Sequence, residues 1–174
     1  MKRILTTTFA LMLLASIASA DGGRGGPPGG GPEFGGGNAI VGGNGTLFIT
    51  RTTIDTGTRT SSTTVTAISP AGSTLWTATL STRGGLRLSG SNLISVSETR
   101  ASDGTVTSTL TALSTATGAV AWTRTISGDV MGLEPFSGGT YVIVVTPATT
   151  TGGTATRSIT ALDNSGNVLW TITA

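Results

Sequence analysis

The sequence contains no cysteine and no histidine. Without cysteine there is no disulfide, no thiolate metal site and no residue on which a lipoprotein anchor could be built. Without histidine the chain lacks the commonest general base and the commonest metal ligand. Lysine is nearly as scarce, since Lys2 is the only one. One long hydrophobic run is present, over residues 4–17, and nothing beyond it has helical periodicity.

That run has a recognisable context. Lys2 and Arg3 precede it, and Ala18-Ser19-Ala20 follows with the small-x-small pattern that signal peptidase accepts. A cleavable signal peptide over residues 1–20 is expected, with cleavage after Ala20 and a secreted or periplasmic mature chain. The run is too short to span a bilayer comfortably, and a Gly/Pro stretch follows it, so no membrane insertion is expected after cleavage. Residues 21–37 form that Gly/Pro-rich stretch, which has too little apolar surface to offset its ordering entropy and reads as a disordered linker.

Loss of Lys2 and Arg3 leaves eight Arg against eight Asp and Glu. The mature chain is then formally neutral. Its arginines (Arg51, Arg59, Arg83, Arg87, Arg100, Arg124 and Arg157 in the repeat region) are spread singly, without aromatic neighbours. Phosphate backbones need concentrated positive charge, so nucleic acid is not an expected partner.

From residue 38 onward the sequence repeats itself. Trp76, Trp122 and Trp170 are spaced by 46 and 48 residues, and each has a glycine four residues before it: Gly72, Gly118 and Gly166. Each also lies 29 residues after the start of an apolar run, at Leu47, Leu93 and Tyr141. At each Trp the alternation is period 2, as in Trp76, Ala78 and Leu80 against Thr77 and Thr79. A tight turn precedes it, Ser69-Pro70-Ala71-Gly72 in the first copy and Asp163-Asn164-Ser165-Gly166 in the third. Further strands are expected at 46–52, 92–98 and 140–146, at 63–68 and 157–162, and, shorter, at 38–41, 85–89 and 130–133.

Four strands in a unit of about 45 residues is the arithmetic of a propeller blade. The expected fold is therefore all-β: three tandem four-stranded β-propeller-type blades over residues 38–174. A β-sandwich would also accommodate short strands, but it does not require the same Gly-to-Trp hairpin three times at one interval.

At the Ala-Leu…Gly-x-x-x-Trp hairpin the chain resembles the PQQ-like, quinoprotein alcohol dehydrogenase-type β-propeller repeat family. The resemblance covers residues 38–174. Ala112, Gly118 and Trp122 reproduce that family's spacing, while Ala67/Gly72/Trp76 and Ala161/Gly166/Trp170 are one residue shorter between Ala and Gly. The resemblance implies that each indole docks between blades, with Ala and Gly leaving it room, so that these nine residues are structural.

Fold alone does not decide between the enzymes and non-enzymes that share this repeat. The quinoproteins hold their quinone with a vicinal disulfide, which this chain cannot make. Its acidic residues Asp55, Glu98, Asp103, Asp129, Glu134 and Asp163 are isolated, and Asp103-Gly104 and Asp129 read as turn residues. Asp163-Asn164-Ser165-Gly166 lacks the spaced ligands of a calcium loop. Gly42-Gly43-Asn44-Gly45 joins two strands and so is no phosphate cradle. The serines have no His or Lys to activate them. No catalytic, cofactor-binding or metal residue is assigned.

The expectation is an exported, non-catalytic propeller module that binds a protein or cell-envelope partner in a scaffold or assembly role. The family analogy is to outer-membrane assembly scaffolds. Candidate contacts are the loops at 53–62, 98–106 and 147–156. A self-associating structural protein of the cell surface or extracellular matrix is the second reading, and a fragment of a quinone-dependent dehydrogenase a third. Closed propellers ordinarily have about four to eight blades. Three blades leave open a six-bladed homodimer, a piece of a longer propeller, or an open arc whose end faces recruit a partner.

Overall fold

The structure, a computed structural model, describes residues 39–173 apart from 56, 58–59, 83–84 and 149–152. The signal peptide expected over residues 1–20 and the linker expected over 21–37 lie outside the described residues. The described chain is all strand, with no helix: β1 (Ala39–Val41), β2 (Leu47–Asp55), β3 (Thr60–Ile68), β4 (Thr74–Leu80), β5 (Leu86–Ser89), β6 (Asn92–Arg100), β7 (Val106–Ser114), β8 (Val120–Ser127), β9 (Asp129–Phe136), β10 (Gly139–Thr146), β11 (Thr156–Asp163) and β12 (Val168–Thr173). They form three antiparallel sheets in the orders β1-β2-β3-β4, β5-β6-β7-β8 and β9-β10-β11-β12. Each sheet is one repeat, paired strand to next strand, which is the meander of a propeller blade.

Two apolar seams join the blades. Between blades 1 and 2, Phe48, Val65, Ala67 and Leu80 pack against Leu93 and Leu113, with Trp76, Leu86 and Leu88 at the margin. Between blades 2 and 3, Ile94, Val96, Leu110 and Ala112 meet Val130, Leu133, Val142, Val144 and Leu162. Because side chains alternate faces along a strand, the middle blade is apolar on both faces: Leu93 and Ile94 are consecutive, and both are buried. Full burial of each Leu, Ile or Val contributes about 1.5–3 kcal/mol, so the seams are the main cohesion of the array.

Buried hydroxyls stitch the same seams. Thr63 Oγ1 donates to the Thr82 carbonyl at 2.8 Å, and Thr82 Oγ1 donates to the Val96 carbonyl at 2.8 Å. Ser108 Oγ donates to the Gly128 carbonyl at 2.8 Å and accepts from the Val130 N–H at 3.2 Å. Among the described residues no buried side-chain polar atom lacks a partner.

Three expectations shift. The pairs β2–β3 and β6–β7 run further than expected, to Asp55↔Thr60 and Arg100↔Val106. Much of 53–62 and 98–106 is thus paired ladder, with 101–105 left outside it in the second loop; 56 and 58–59 of the first, and 149–152 of the loop at 147–156, lie outside the described residues. Thr and Ile favour extended backbone, and cross-strand contacts such as Thr52 Oγ1 to Thr63 Oγ1 at 2.9 Å support pairing beyond the apolar core. Asp129 is the first residue of β9, paired with Val145, and the turn is made by Gly128 at φ 109°. Finally, Tyr141 is not the counterpart of Leu47 and Leu93. It pairs with Ala161 as Phe48 pairs with Ala67 and Ile94 with Ala112, so Thr140 is the true equivalent. The shared 29-residue interval reflects different loop lengths, not a common register.

Candidate functional site: the inter-blade tryptophan sockets

Each Trp-bearing strand is bent in the same way just before its indole. Ala67 pairs with Trp76 but Ile68 with Thr74, so Leu75 is an extra residue, a β-bulge. Ala121 and Leu169 are left over in the same fashion before Trp122 and Trp170. A bulge increases local twist and re-aims the following side chain. The alanine opposite each Trp (Ala67, Ala112 and Ala161) is fully buried.

The aimed indole meets the next blade's hairpin turn. Trp76 Nε1 donates to the Thr115 carbonyl at 3.0 Å, and Trp122 Nε1 donates to the Asn164 carbonyl at 3.0 Å. Beneath the rings lie the turn glycines. A Cβ on Gly118 would stand 2.5 Å from Trp76 Cε3, and one on Gly166 would stand 2.7 Å from Trp122 Cδ2. Both glycines also have positive φ, 72° and 80°. Two independent reasons therefore demand glycine here: backbone conformation and the space the indole occupies.

Further groups hold the second junction. Arg124 Nη1 donates to the Gly166 carbonyl at 2.8 Å, and Asn92 Nδ2 donates to the Asn164 carbonyl at 2.7 Å. The first junction has Ala78 where the second has Arg124, two residues beyond the Trp. The one-residue spacing difference among the hairpins is absorbed in the turn. Gly72 and Gly166 donate to the carbonyls three residues back, Ser69 and Asp163, whereas Gly118 reaches four back to Ser114.

Gly72 and Trp170 stand apart from this scheme. A Cβ on Gly72 would meet nothing within 4 Å, and Trp170 is 43% exposed. Trp170 touches Tyr141, ring centroids 5.6 Å apart, but among the described residues its N–H has no acceptor.

The third turn is fixed by Asp163. Its Oδ1 accepts from the Ser165 and Asn167 N–H groups, both at 2.8 Å, and its Oδ2 accepts from Asn167 Nδ2 at 3.0 Å. The Asn167 side chain, then the backbone N–H groups, hold its carboxyl below the ordinary value of 3.8. A depressed folded pKa contributes stability that is present above the unfolded value and lost as pH falls through the folded one. Acidification below pH 3.8 is thus expected to loosen this hairpin, and Asp163→Asn to flatten that part of an acid-unfolding curve. A curve of unchanged shape would contradict it. Asp103 plays the same part in the β6–β7 loop, accepting from the Thr105 N–H at 2.9 Å, which lowers its pKa.

The acidic residues do not converge. Among the described residues no three of Asp, Glu, His or Cys gather around a point, and the ion pair found there, Arg100 with Glu98 at 3.4 Å, is exposed. The Gly42–Gly45 segment is a turn closed by Gly45 N–H to the Gly42 carbonyl at 2.9 Å. The glycine-bearing hairpin turns of blades 2 and 3 contact the indole of the preceding blade at a common end of the array. The antiparallel meander then sends the β2–β3, β6–β7 and β10–β11 connections to the opposite end. These are the connections in which the candidate contact loops lie.

The residues that sequence reasoning misses are the acceptors Thr115 and Asn164, the latch Arg124 and the bulges. Main-chain carbonyls leave no signature in a sequence. The bulges do leave one: Leu75-Trp76 and Leu169-Trp170 break the apolar-polar alternation.

The family model described as outer membrane protein assembly factor BamB, a PQQ-like repeat, matches residues 61–174. No curated protein matches the chain.

Proposed function

Because the chain belongs to the PQQ-like repeat family of the outer membrane protein assembly factor BamB, we propose that it is an exported, non-catalytic propeller module that binds a protein or cell-envelope partner. The observation that carries this reading is the family match itself, joined to the leader pattern at Lys2-Arg3 and Ala18-Ser19-Ala20. The role is that of a scaffold: the blades supply a rigid frame, and the chemistry is recognition.

The end bearing the β2–β3 and β6–β7 hairpins suits that role. Residues 51–55 and 98–105 are exposed along their length, and Ile54 is 54% exposed. These hairpins project past the apolar seams, so a partner can contact them without cost to the core. Conserving the frame while varying loops is the usual way such scaffolds acquire function. The isolated carboxylates and the absence of Cys and His from the sequence support a non-catalytic reading.

Two measurements test it together. The full chain is expressed in a bacterium with an envelope, and the exported fraction is examined by intact mass for a chain beginning at Asp21. A photo-crosslinking residue is then placed at Ile54 or Asp103, with Thr77 as the control. Export with crosslinks from Ile54 and Asp103 alone is expected. A cytoplasmic full-length chain, or equal labelling from all three positions, would overturn the proposal.

A further inference from the structure

The two ends of the array are the two halves of one interface that the molecule already makes twice. On the outward face of blade 3, Ile159, Trp170 and Ile172 occupy the places of Val65, Trp76 and Ala78 in blade 1 and of Leu110, Trp122 and Arg124 in blade 2. Val65 and Leu110 are wholly buried by the following blade, whereas Ile159 is 41% and Ile172 60% exposed. On the outward face of blade 1, Val41, Leu47 and Ile68 occupy the places of Leu88, Leu93 and Leu113 in blade 2. Leu93 and Leu113 are buried against blade 1, whereas Val41 is 68% exposed.

The socket is also waiting. The first turn has the same length as the third, so Pro70 stands two residues before Gly72 as Asn164 stands two before Gly166. The Pro70 carbonyl accepts from none of the described residues, Gly72 carries φ 83°, and the space above it is open. Trp170 presents a ring and a free N–H of the kind that fills such a socket.

We propose that a second copy of this chain covers these faces: Trp170 of each copy seats over Gly72 of the other and donates to its Pro70 carbonyl. The contact is head-to-tail, and two of them related by a two-fold axis close a ring. Two copies of three blades make six, within the range of about four to eight at which propellers close. Continuity with the existing seams argues for a copy of this chain over an unrelated partner, because the face requires a blade with an indole socket and this chain carries an unfilled one. The inference goes beyond the proposed partner binding and does not rest on it.

The test is light scattering on the mature chain, residues 21–174, across a micromolar concentration series. Wild type is expected as a discrete dimer. Ile172→Lys spoils the tail face and Val41→Lys the head face, and each side chain is exposed enough that the blades keep their circular dichroism. Each variant alone is expected at the monomer mass. Mixed in equal amounts they are expected to return to the dimer mass, because the tail of the Val41→Lys chain and the head of the Ile172→Lys chain are both intact. A monomeric wild type, as a longer propeller or a different partner would require, overturns the proposal. So does an open-ended ladder, and so does a mixture that stays monomeric.

Discussion

Gly166→Ala is expected to destabilise the chain by about 2–5 kcal/mol, several times more than an ordinary surface substitution. Two costs add. Ala at φ 80° pays the left-handed penalty, about 1–2 kcal/mol. Its Cβ would also lie 2.7 Å from Trp122 Cδ2 and 2.8 Å from Cε3, so the ring must lift from its seat, an overpacking cost of about 1–3 kcal/mol. Gly118→Ala should behave alike beneath Trp76. Gly104→Ala separates the two causes, since its φ is 86° and its Cβ would meet nothing within 4 Å. Urea unfolding should show Gly104→Ala losing only the first cost. Equal losses at Gly104 and Gly166 would mean that the indole is not seated on the turn.

Trp122→Ala is the second large effect, expected at about 3–5 kcal/mol. The ring packs on the seam formed by Ile94, Leu110 and Val142, and its N–H satisfies the Asn164 carbonyl. Removing it opens the junction of blades 2 and 3 on both its apolar and its polar side. Trp122→Phe should retain most of the apolar part and lose about 1 kcal/mol, the net value of one hydrogen bond. Trp170→Ala, measured in the monomeric Ile172→Lys background, should cost clearly less than Trp122→Ala. Its ring is 43% exposed and its apolar neighbour is Tyr141 of its own blade. Thermal unfolding of the three variants ranks them; an order that places Trp170→Ala first would contradict the socket scheme.

Much of this architecture is legible in the residues because the blade is a local structure. Hairpin turns such as Ser69–Gly72 are written in Gly, Pro and Ser, and the alternation around Trp76 and Trp170 is that of a half-buried strand. The return of the Gly-to-Trp hairpin at Trp76, Trp122 and Trp170 extends that reading to three blades. Register is less legible. Leu47, Leu93 and Tyr141 share a spacing to Trp, yet Tyr141 is displaced by one position and so faces the opposite side of its sheet. Strand ends were legible only where apolar residues marked them. Thr53 and Ser62 pair across β2 and β3 although nothing in their polarity separates ladder from loop. The sockets depend on main-chain carbonyls of Thr115 and Asn164, which any residue would supply. The vacancy at Gly72 is visible only once the other two glycines are seen to be covered.

Hydrogen exchange of the three indole N–H groups, followed by nuclear magnetic resonance, tests the inter-blade docking most directly. In the Ile172→Lys background the Trp76 and Trp122 signals should exchange slowly, being bonded to the Thr115 and Asn164 carbonyls, while Trp170 exchanges at the rate of a free indole. In wild type at dimer concentration Trp170 should join the slow pair. Three indoles that exchange equally fast in the folded protein would contradict the account, because no tryptophan would then be held by the blade that follows it.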